Sequence, residues 1–157
     1  AGCTSVKVVG YSEFDQIENS NVIVSPGPGL PSDYPKLERI FDKGNRILGI
    51  CLGHQLIGSY FGGKLNQLQT PIHGESVDVE VLDSECCLFK GIKSFKAGRY
   101  HSWYVSESPL AITAKSNDGL IMGIRNEDQS TLGIQFHPES VLTPVGEQIF
   151  RNWIHSV

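Results

Sequence analysis

The feature that most constrains the fold is a short apolar segment, residues 46–50, that runs directly into a helical pattern. Residues 46–50 (RILGI) are typical of a buried strand, and residues 52–61 repeat apolar side chains at the spacing of one helix face. Glycines on both sides of the junction permit a tight backbone. Cys51 occupies the junction itself, so the sequence predicts a cysteine at a sharp strand-to-helix turn.

Two further segments predict buried strands of a parallel sheet. Residues 5–9 (SVKVV) and 21–25 (NVIVS) are rich in β-branched side chains, and the second ends at a Pro/Gly loop. A helix is predicted over residues 34–43, because apolar side chains recur there at helical spacing and a glycine follows as a stop. This order of strand, loop and helix is typical of an α/β domain.

The second half of the chain predicts mostly short strands. Residues 76–82 alternate valines with mostly polar side chains, as a strand with one solvent-facing side does. Four shorter strand candidates are residues 103–105, 112–114, 121–124 and 132–136, and a final helix is predicted over residues 144–154. We therefore predict one α/β domain over residues 1–157, with a central mixed, largely parallel sheet flanked by helices and a small antiparallel sheet.

Composition limits the partners and the compartment. The chain has 157 residues, 39% of them hydrophobic, which is enough for one packed core. Its formal net charge of −4 disfavours nucleic acid or an anionic membrane as a partner. Neither a long apolar run nor the pattern of a secretion signal is recognisable, so we expect a cytoplasmic protein. Adjacent Cys86 and Cys87 lack the spacing of a disulfide framework, and we expect reduced thiols.

Cys51 is a candidate nucleophile. A thiol at the start of a helix lies near the positive end of the helix dipole and near unpaired backbone N–H groups, which favour the thiolate. It needs a base to take its proton, and the base needs an acceptor that fixes its tautomer. His137 and Glu139, just after the last predicted strand, fit these roles. Taken singly, such a cysteine or such a His-Pro-Glu loop is more often structural, so the argument depends on their combination.

Four motifs, in this order along the chain, carry a resemblance to a known family. They are residues 25–29 (SPGPG), 49–55 (GICLGHQ), 99–102 (RYHS) and 135–140 (QFHPES). Together they resemble the class I, or triad, glutamine amidotransferases. With residues 71–74 (PIHG), they are most similar to the glutaminase subunits of anthranilate synthase and aminodeoxychorismate synthase.

The resemblance implies a reaction and a partner. The chain would hydrolyse L-glutamine through a cysteine thioester, with no metal or organic cofactor, and supply the ammonia to a chorismate-binding synthase subunit. Two alternatives stay open at this point. One is a glutaminase subunit of another ammonia-using synthase, and the other is a non-catalytic subunit that stabilises its partner.

The resemblance also implies roles for individual residues. Cys51 would be the nucleophile, His137 the general base and acid, and Glu139 the carboxylate that orients His137. The backbone N–H groups of Gly27 and Leu52 would form the oxyanion hole, which stabilises the negative oxygen of the tetrahedral intermediate. The substrate-binding residues would be Gly27, Pro28, Gly29, Gln55, Ser102 and Trp103.

The family also has a strand and a helix ahead of the segment with which this chain opens. The chain begins at Ala1, and its only methionine is Met122, so it does not begin at a translation start. We therefore expect the first strand and helix of the family to be absent. Their absence should expose apolar surface on the neighbouring elements and lower the stability.

Overall fold

The structure is a computed structural model and describes residues 5–156. In this range a seven-stranded mixed sheet forms the centre of the domain, beside a two-stranded sheet. The strands are β1 (Asn21–Val24), β2 (Arg46–Ile50), β3 (Lys64–Gln67), β4 (Glu75–Val81), β5 (Ser94–Arg99), β6 (Trp103–Glu107), β7 (Ala111–Ser116), β8 (Ile121–Arg125) and β9 (Thr131–Ile134). The α-helices are α1 (Leu52–Tyr60) and α2 (Gly146–His155), and short 3-10 helices span Phe14–Gln16, Pro31–Asp33, Leu37–Asp42 and Cys87–Phe89.

The strands of the central sheet follow the order β1, β2, β9, β8, β7, β4, β5. β1 pairs in parallel with β2, and β2 with β9, whereas the other pairings are antiparallel. The predicted mixed sheet and the small antiparallel sheet, β3 with β6, are confirmed. Parallel pairing is confined to three strands, a smaller share than predicted, because the short connections β7–β8 and β8–β9 cannot form the long crossover that parallel neighbours need.

Two glycines shape the junction between β2 and α1. A Cβ on Gly49 would overlap the backbone of Gly53 and lie 2.6 Å from Ile57 Cδ1, and a Cβ on Gly53 would overlap the carbonyl oxygen of Val24. These glycines therefore let α1 lie directly against β1 and β2. Cys51, at the junction, has φ 53° and ψ −98°, a conformation that residues with a side chain rarely adopt. The predicted sharp turn is confirmed.

We expect Gly53→Ala to lower the free energy of unfolding by about 2 kcal/mol, because the added methyl group overpacks against the Val24 carbonyl. Urea denaturation of the two proteins measures the difference. Gly10→Ala is the matched control, since a Cβ there meets nothing closer than 3.9 Å. Equal denaturation midpoints for Gly53→Ala and the parent chain would contradict the close packing of α1.

The central sheet separates two hydrophobic cores. Alternate residues of β2 supply both of them, with Ile47 in the core that also contains Leu56 of α1 and Leu48 in the core that also contains Trp153 of α2. This division follows from the alternation of side chains along a strand. The buried pattern of β2 therefore fixes the face on which each helix packs.

The strand predicted at residues 5–9 is wrong, since this segment forms no strand in the structure. Val6 is 81% and Val8 91% exposed, and β1 pairs only with β2. A β-branched segment becomes a strand only where a neighbouring strand completes its hydrogen bonds. Because β1 lies at the sheet edge, its Ile23 is 43% exposed, and the prediction that β1 is buried fails for this side chain.

Other predicted elements differ in detail. The helix predicted over residues 34–43 is the 3-10 helix Leu37–Asp42. The strands β3 and β5 were not predicted. Both carry charged side chains and β5 also contains a glycine, and these residue types are infrequent in strands. Cys51, Cys86 and Cys87 are free thiols, as predicted, and Cys3 lies outside the described residues.

Candidate active site

The carboxyl ends of β2 and β9 bring the predicted nucleophile next to the loop that carries the predicted base. Ile50 pairs with Ile134 across the parallel strands, and the backbone N–H of Cys51 donates to the Ile134 carbonyl over 2.9 Å. The residues that follow the two strands therefore start from the same sheet edge, where ligands of α/β proteins usually bind.

His137 and Glu139 form a hydrogen-bonded pair, with His137 Nδ1 2.6 Å from Glu139 Oε1. A histidine whose Nδ1 donates to a carboxylate keeps its Nε2 available to exchange a proton with another group. His137 Nε2 is buried and has no hydrogen-bond partner within residues 5–156. This arrangement suits a base that is oriented by a third group.

Neighbouring elements hold the His137 ring and backbone in place. The His137 N–H donates to the Gly98 carbonyl over 3.0 Å, and the Thr143 hydroxyl donates to the His137 carbonyl over 2.7 Å. The Tyr100 ring lies 4.9 Å from the His137 ring, and its hydroxyl lies 3.1 Å from Ser140 Oγ. Among the described residues Cys51 makes no hydrogen bond to His137, and catalytic contacts of this kind often tighten only when substrate binds.

Burial dominates the electrostatics of Cys51. Burial raises the pKa of its thiol to about 11; the Leu52 backbone N–H offsets part of the rise, and the Glu139 charge adds to it. The thiol is therefore protonated at neutral pH. To attack a carbonyl carbon it has to give its proton to a base as it reacts.

The two residues predicted to supply the oxyanion donors, Gly27 and Leu52, lie close to each other. A Cβ on Gly27 would be 3.0 Å from Leu52 Cδ2, so a larger residue at position 27 would press against the start of α1. Gly27, Pro28 and Gly29 lie on an exposed loop. The Tyr34 hydroxyl donates to the Pro28 carbonyl over 2.9 Å and fixes that loop. The roles of these residues stay predictions.

Two of the predicted glutamine-binding residues, Gln55 and Trp103, are hydrogen-bonded to each other. Gln55 Nε2 donates to the Trp103 carbonyl over 2.8 Å, and His101 Nδ1 lies 3.0 Å from the same oxygen. Ser102 and Trp103 are half-buried at the start of β6. Gln135 was not predicted to have a role of its own. The signal that could have indicated one is a polar residue directly after the apolar residues of β9.

The chain matches the family model for class I glutamine amidotransferases over residues 2–157. This chain belongs to the class I glutamine amidotransferases. The predicted family is therefore confirmed.

Named relatives are similar over most of the amidotransferase. It is 45% identical over 136 residues to anthranilate synthase component 2 of Archaeoglobus fulgidus, and the aligned region covers 85% of this chain and 72% of that protein. It is 36% identical over 156 residues to aminodeoxychorismate/anthranilate synthase component 2 of Bacillus subtilis, covering 94% and 79%. It is 41% identical over 155 residues to the bifunctional protein TrpGD of Thermotoga maritima, but spans only 26% of that longer protein.

A solved structure supports the fold of the amidotransferase. A candidate GMP synthase subunit from Thermoplasma acidophilum superposes with a TM-score of 0.77 at 26% identity, covering 92% of this chain and 74% of that one. The predicted α/β architecture is thus shared with a known structure.

Two other properties of the amidotransferase concern ligands and membranes. Within residues 5–156 no group of three or more His, Cys, Asp or Glu side chains is arranged to hold a metal ion. No helix in the same part of the chain has the length and apolar character needed to cross a membrane.

His54, on α1, has none of the catalytic or binding roles predicted above. It is fully buried between α1 and β9, where a Cβ on Gly133 would lie 2.9 Å from its Nδ1. Burial lowers the pKa of His54 to about 3 from its ordinary 6.5, although the Gly133 backbone favours the charged form. Burial also lowers the pKa of His101, to about 4. Both rings are therefore neutral in the folded amidotransferase near pH 6.

We expect the free energy of unfolding to fall as the pH drops from about 6.5 towards 4. The unfolded chain takes up a proton at His54 in this window and the folded chain does not, so acid favours unfolding by up to about 1.4 kcal/mol per pH unit for each such histidine. Urea denaturation at several pH values measures the slope. His54→Gln should flatten it, whereas His155→Gln, an exposed control, should not; equal slopes in all three proteins would contradict the assignment.

Proposed function

We propose that this chain hydrolyses L-glutamine at Cys51 and supplies the ammonia to a chorismate-using synthase. The observation that carries the proposal is that a helix-start thiol and a hydrogen-bonded His137–Glu139 pair follow two adjacent parallel strands, β2 and β9, at one sheet edge. A base with a free Nε2 and a carboxylate on its other nitrogen is what a buried, protonated thiol needs in order to react.

In the proposed reaction, Cys51 Sγ bonds to the side-chain carbonyl carbon of glutamine, and its proton passes to His137 Nε2. His137 then gives that proton to the leaving nitrogen, the C–N bond breaks, and ammonia departs from a γ-glutamyl thioester. Water attacks the thioester and gives a proton to His137, the C–S bond breaks, glutamate is released, and His137 returns the proton to Cys51 Sγ. Glu139 stabilises the positive charge that His137 carries in each half of the reaction, the formation of the thioester and its hydrolysis.

Backbone groups near Cys51 suit the negative oxygen of the tetrahedral intermediates. The N–H groups of Gly27 and Leu52 are the proposed donors, and one such donor is worth about 3 kcal/mol in other acyl-transfer enzymes. Gln55 and the backbone of Ser102 and Trp103 are proposed to hold the α-amino and α-carboxylate groups of glutamine. Pro28 and Gly29 would complete the wall of the site beside Gly27.

The chorismate-using partner is supported by the names of the relatives, which are component 2 of anthranilate synthase and of aminodeoxychorismate/anthranilate synthase. A second component implies a first that consumes the ammonia. We propose the same pairing here, in the cytoplasm. A synthase of another kind is the second candidate, favoured by the structural likeness to the GMP synthase protein of Thermoplasma acidophilum.

The test is to mix the chain with component 1 of anthranilate synthase or of aminodeoxychorismate synthase, add glutamine and chorismate, and identify the aromatic amine by mass spectrometry. Glutamine-dependent formation of either amine supports the proposal. Release of ammonia without either amine would favour another synthase. No release with any partner would identify a non-catalytic subunit.

A further inference from the structure

Gln135 is a buried amide beside the nucleophile, and the reaction outlined above gives it no part. It is 0% exposed and directly follows β9. Its Nε2 lies 3.6 Å from Cys51 Sγ, and its Oε1 lies 3.3 Å from Gln55 Nε2. A buried amide is costly unless its polar atoms have partners, so these two contacts account for its position.

The directions of these hydrogen bonds follow from the Trp103 carbonyl, which can only accept. It lies 2.8 Å from the Gln55 side chain, so the NH2 group of Gln55 has to point towards it. The same NH2 group also meets Gln135, which must therefore present its oxygen to Gln55. The NH2 group of Gln135 is then left facing the sulfur of Cys51.

His101 adds a second constraint on the same carbonyl. Its Nδ1 lies 3.0 Å from the Trp103 oxygen, and because this oxygen accepts, Nδ1 is the protonated nitrogen. The carbonyl is thus fixed from two sides, by Gln55 and by His101. The orientation of the Gln135 amide depends on groups that are themselves held in place.

We propose that Gln135 stabilises the Cys51 thiolate by donating a hydrogen bond from its side-chain amide to Sγ, with Gln55 and the Trp103 carbonyl fixing the direction of the donor. The inference deepens the proposed function, because its place in the catalytic cycle rests on glutamine hydrolysis at Cys51. The contact itself concerns the thiol alone and can be tested without glutamine.

The donor matters whenever Sγ carries negative charge. This occurs before attack, once the proton has moved to His137, and again when the thioester breaks. In the second case the water oxygen stays bonded to the acyl carbon, the C–S bond breaks, and its electron pair remains on Sγ. Hydrogen bonds to a charged group are stronger than those between neutral groups, so the Gln135 contact strengthens as charge develops.

Other charged and polar groups around Sγ also affect the stability of the thiolate. Glu139 faces the thiol from the loop after β9 and opposes the thiolate, while the Leu52 N–H favours it from α1. The ring of His137 follows β9 and is the base in the proposed reaction. The hydrogen bond from Gln135 favours the thiolate and is the only contribution from a neutral side chain among these.

The test measures alkylation of Cys51 by iodoacetamide from pH 6.5 to 10, with the modified peptide quantified by mass spectrometry so that the other cysteines do not contribute. In Gln135→Met, which removes the donor and keeps the chain length, we expect alkylation about tenfold slower at pH 8. The pH–rate curve should move up by about one pH unit. A purely structural role for Gln135 would change the denaturation midpoint but not this curve.

Two further variants keep the result interpretable. Gln135→Glu keeps an acceptor for Gln55 but presents a carboxylate to Sγ, so alkylation of the folded variant should slow more than in folded Gln135→Met. Thr113→Val, which changes a buried polar side chain on β7, should leave the curve unchanged. Parent-like curves for folded Gln135→Met and Gln135→Glu would overturn the inference. Absent glutaminase activity with shifted curves would count against the proposed function only.

Discussion

Cys51→Ser is expected to abolish glutamine-dependent ammonia release, with kcat lowered by about 10³-fold or more, as for nucleophile loss in other acyl-transfer enzymes. A serine hydroxyl loses its proton far less readily than a thiol, and the site is already buried, with Cys51 7% exposed. Product formation by the chain with its synthase, from glutamine and separately from ammonium, is the measurement. Synthesis from ammonium should persist.

Cys86→Ser is the control for Cys51→Ser. Cys86 is a buried thiol between β4 and β5, directly before the 3-10 helix Cys87–Phe89, and has no part in the proposed reaction. Glutamine-dependent activity should survive in this variant. If Cys51→Ser retained that activity, or lost the ammonium-dependent reaction as well, Cys51 would be structural and not the nucleophile.

His137→Asn is expected to lower kcat for glutamine hydrolysis by about 10²- to 10⁴-fold, the usual contribution of a general base and acid. KM should change little, because the Nε2 of His137 is proposed to move protons and not to bind glutamine. Steady-state ammonia release over a range of glutamine concentrations separates the two constants. His155→Asn, an exposed change at the end of α2, serves as the control.

Glu139→Gln tests the orienting role in the same assay. Its side chain is 53% exposed, so solvent screens part of its charge, and the loss in kcat should be smaller than in His137→Asn. Folding should be unaffected because the side chain is at the surface. A rate equal to that of the parent chain would remove Glu139 from the mechanism.

The strand-to-helix turn was predictable because the residues next to Cys51 in the sequence permit it. Gly49 and Gly53 flank Cys51, and their lack of side chains is what the close packing of α1 requires. The sequence motifs around Cys51 and His137 likewise indicated the family. The sequence pattern around Cys51 therefore agrees with the backbone geometry found there.

Other features depend on partners that are distant in sequence. Residues 5–9 have the composition of a strand but do not form one, and β5 has little strand-like pattern yet pairs along β4. The share of parallel strands depends on the connections between strands and not on their composition. The contact between Gln135 and Cys51 joins residues 84 positions apart, and its direction is set by a third segment at Trp103.

The backbone conformation at Cys51 bears on when the active site forms during folding. Its positive φ is unfavourable in isolation, and its N–H is held by the carbonyl of Ile134, which lies far along the chain. The reactive geometry therefore cannot form from the β2–α1 segment alone. We therefore expect a partly synthesised chain that lacks β9 to hold Cys51 in a relaxed backbone conformation, and the active geometry to form only once β9 pairs with β2.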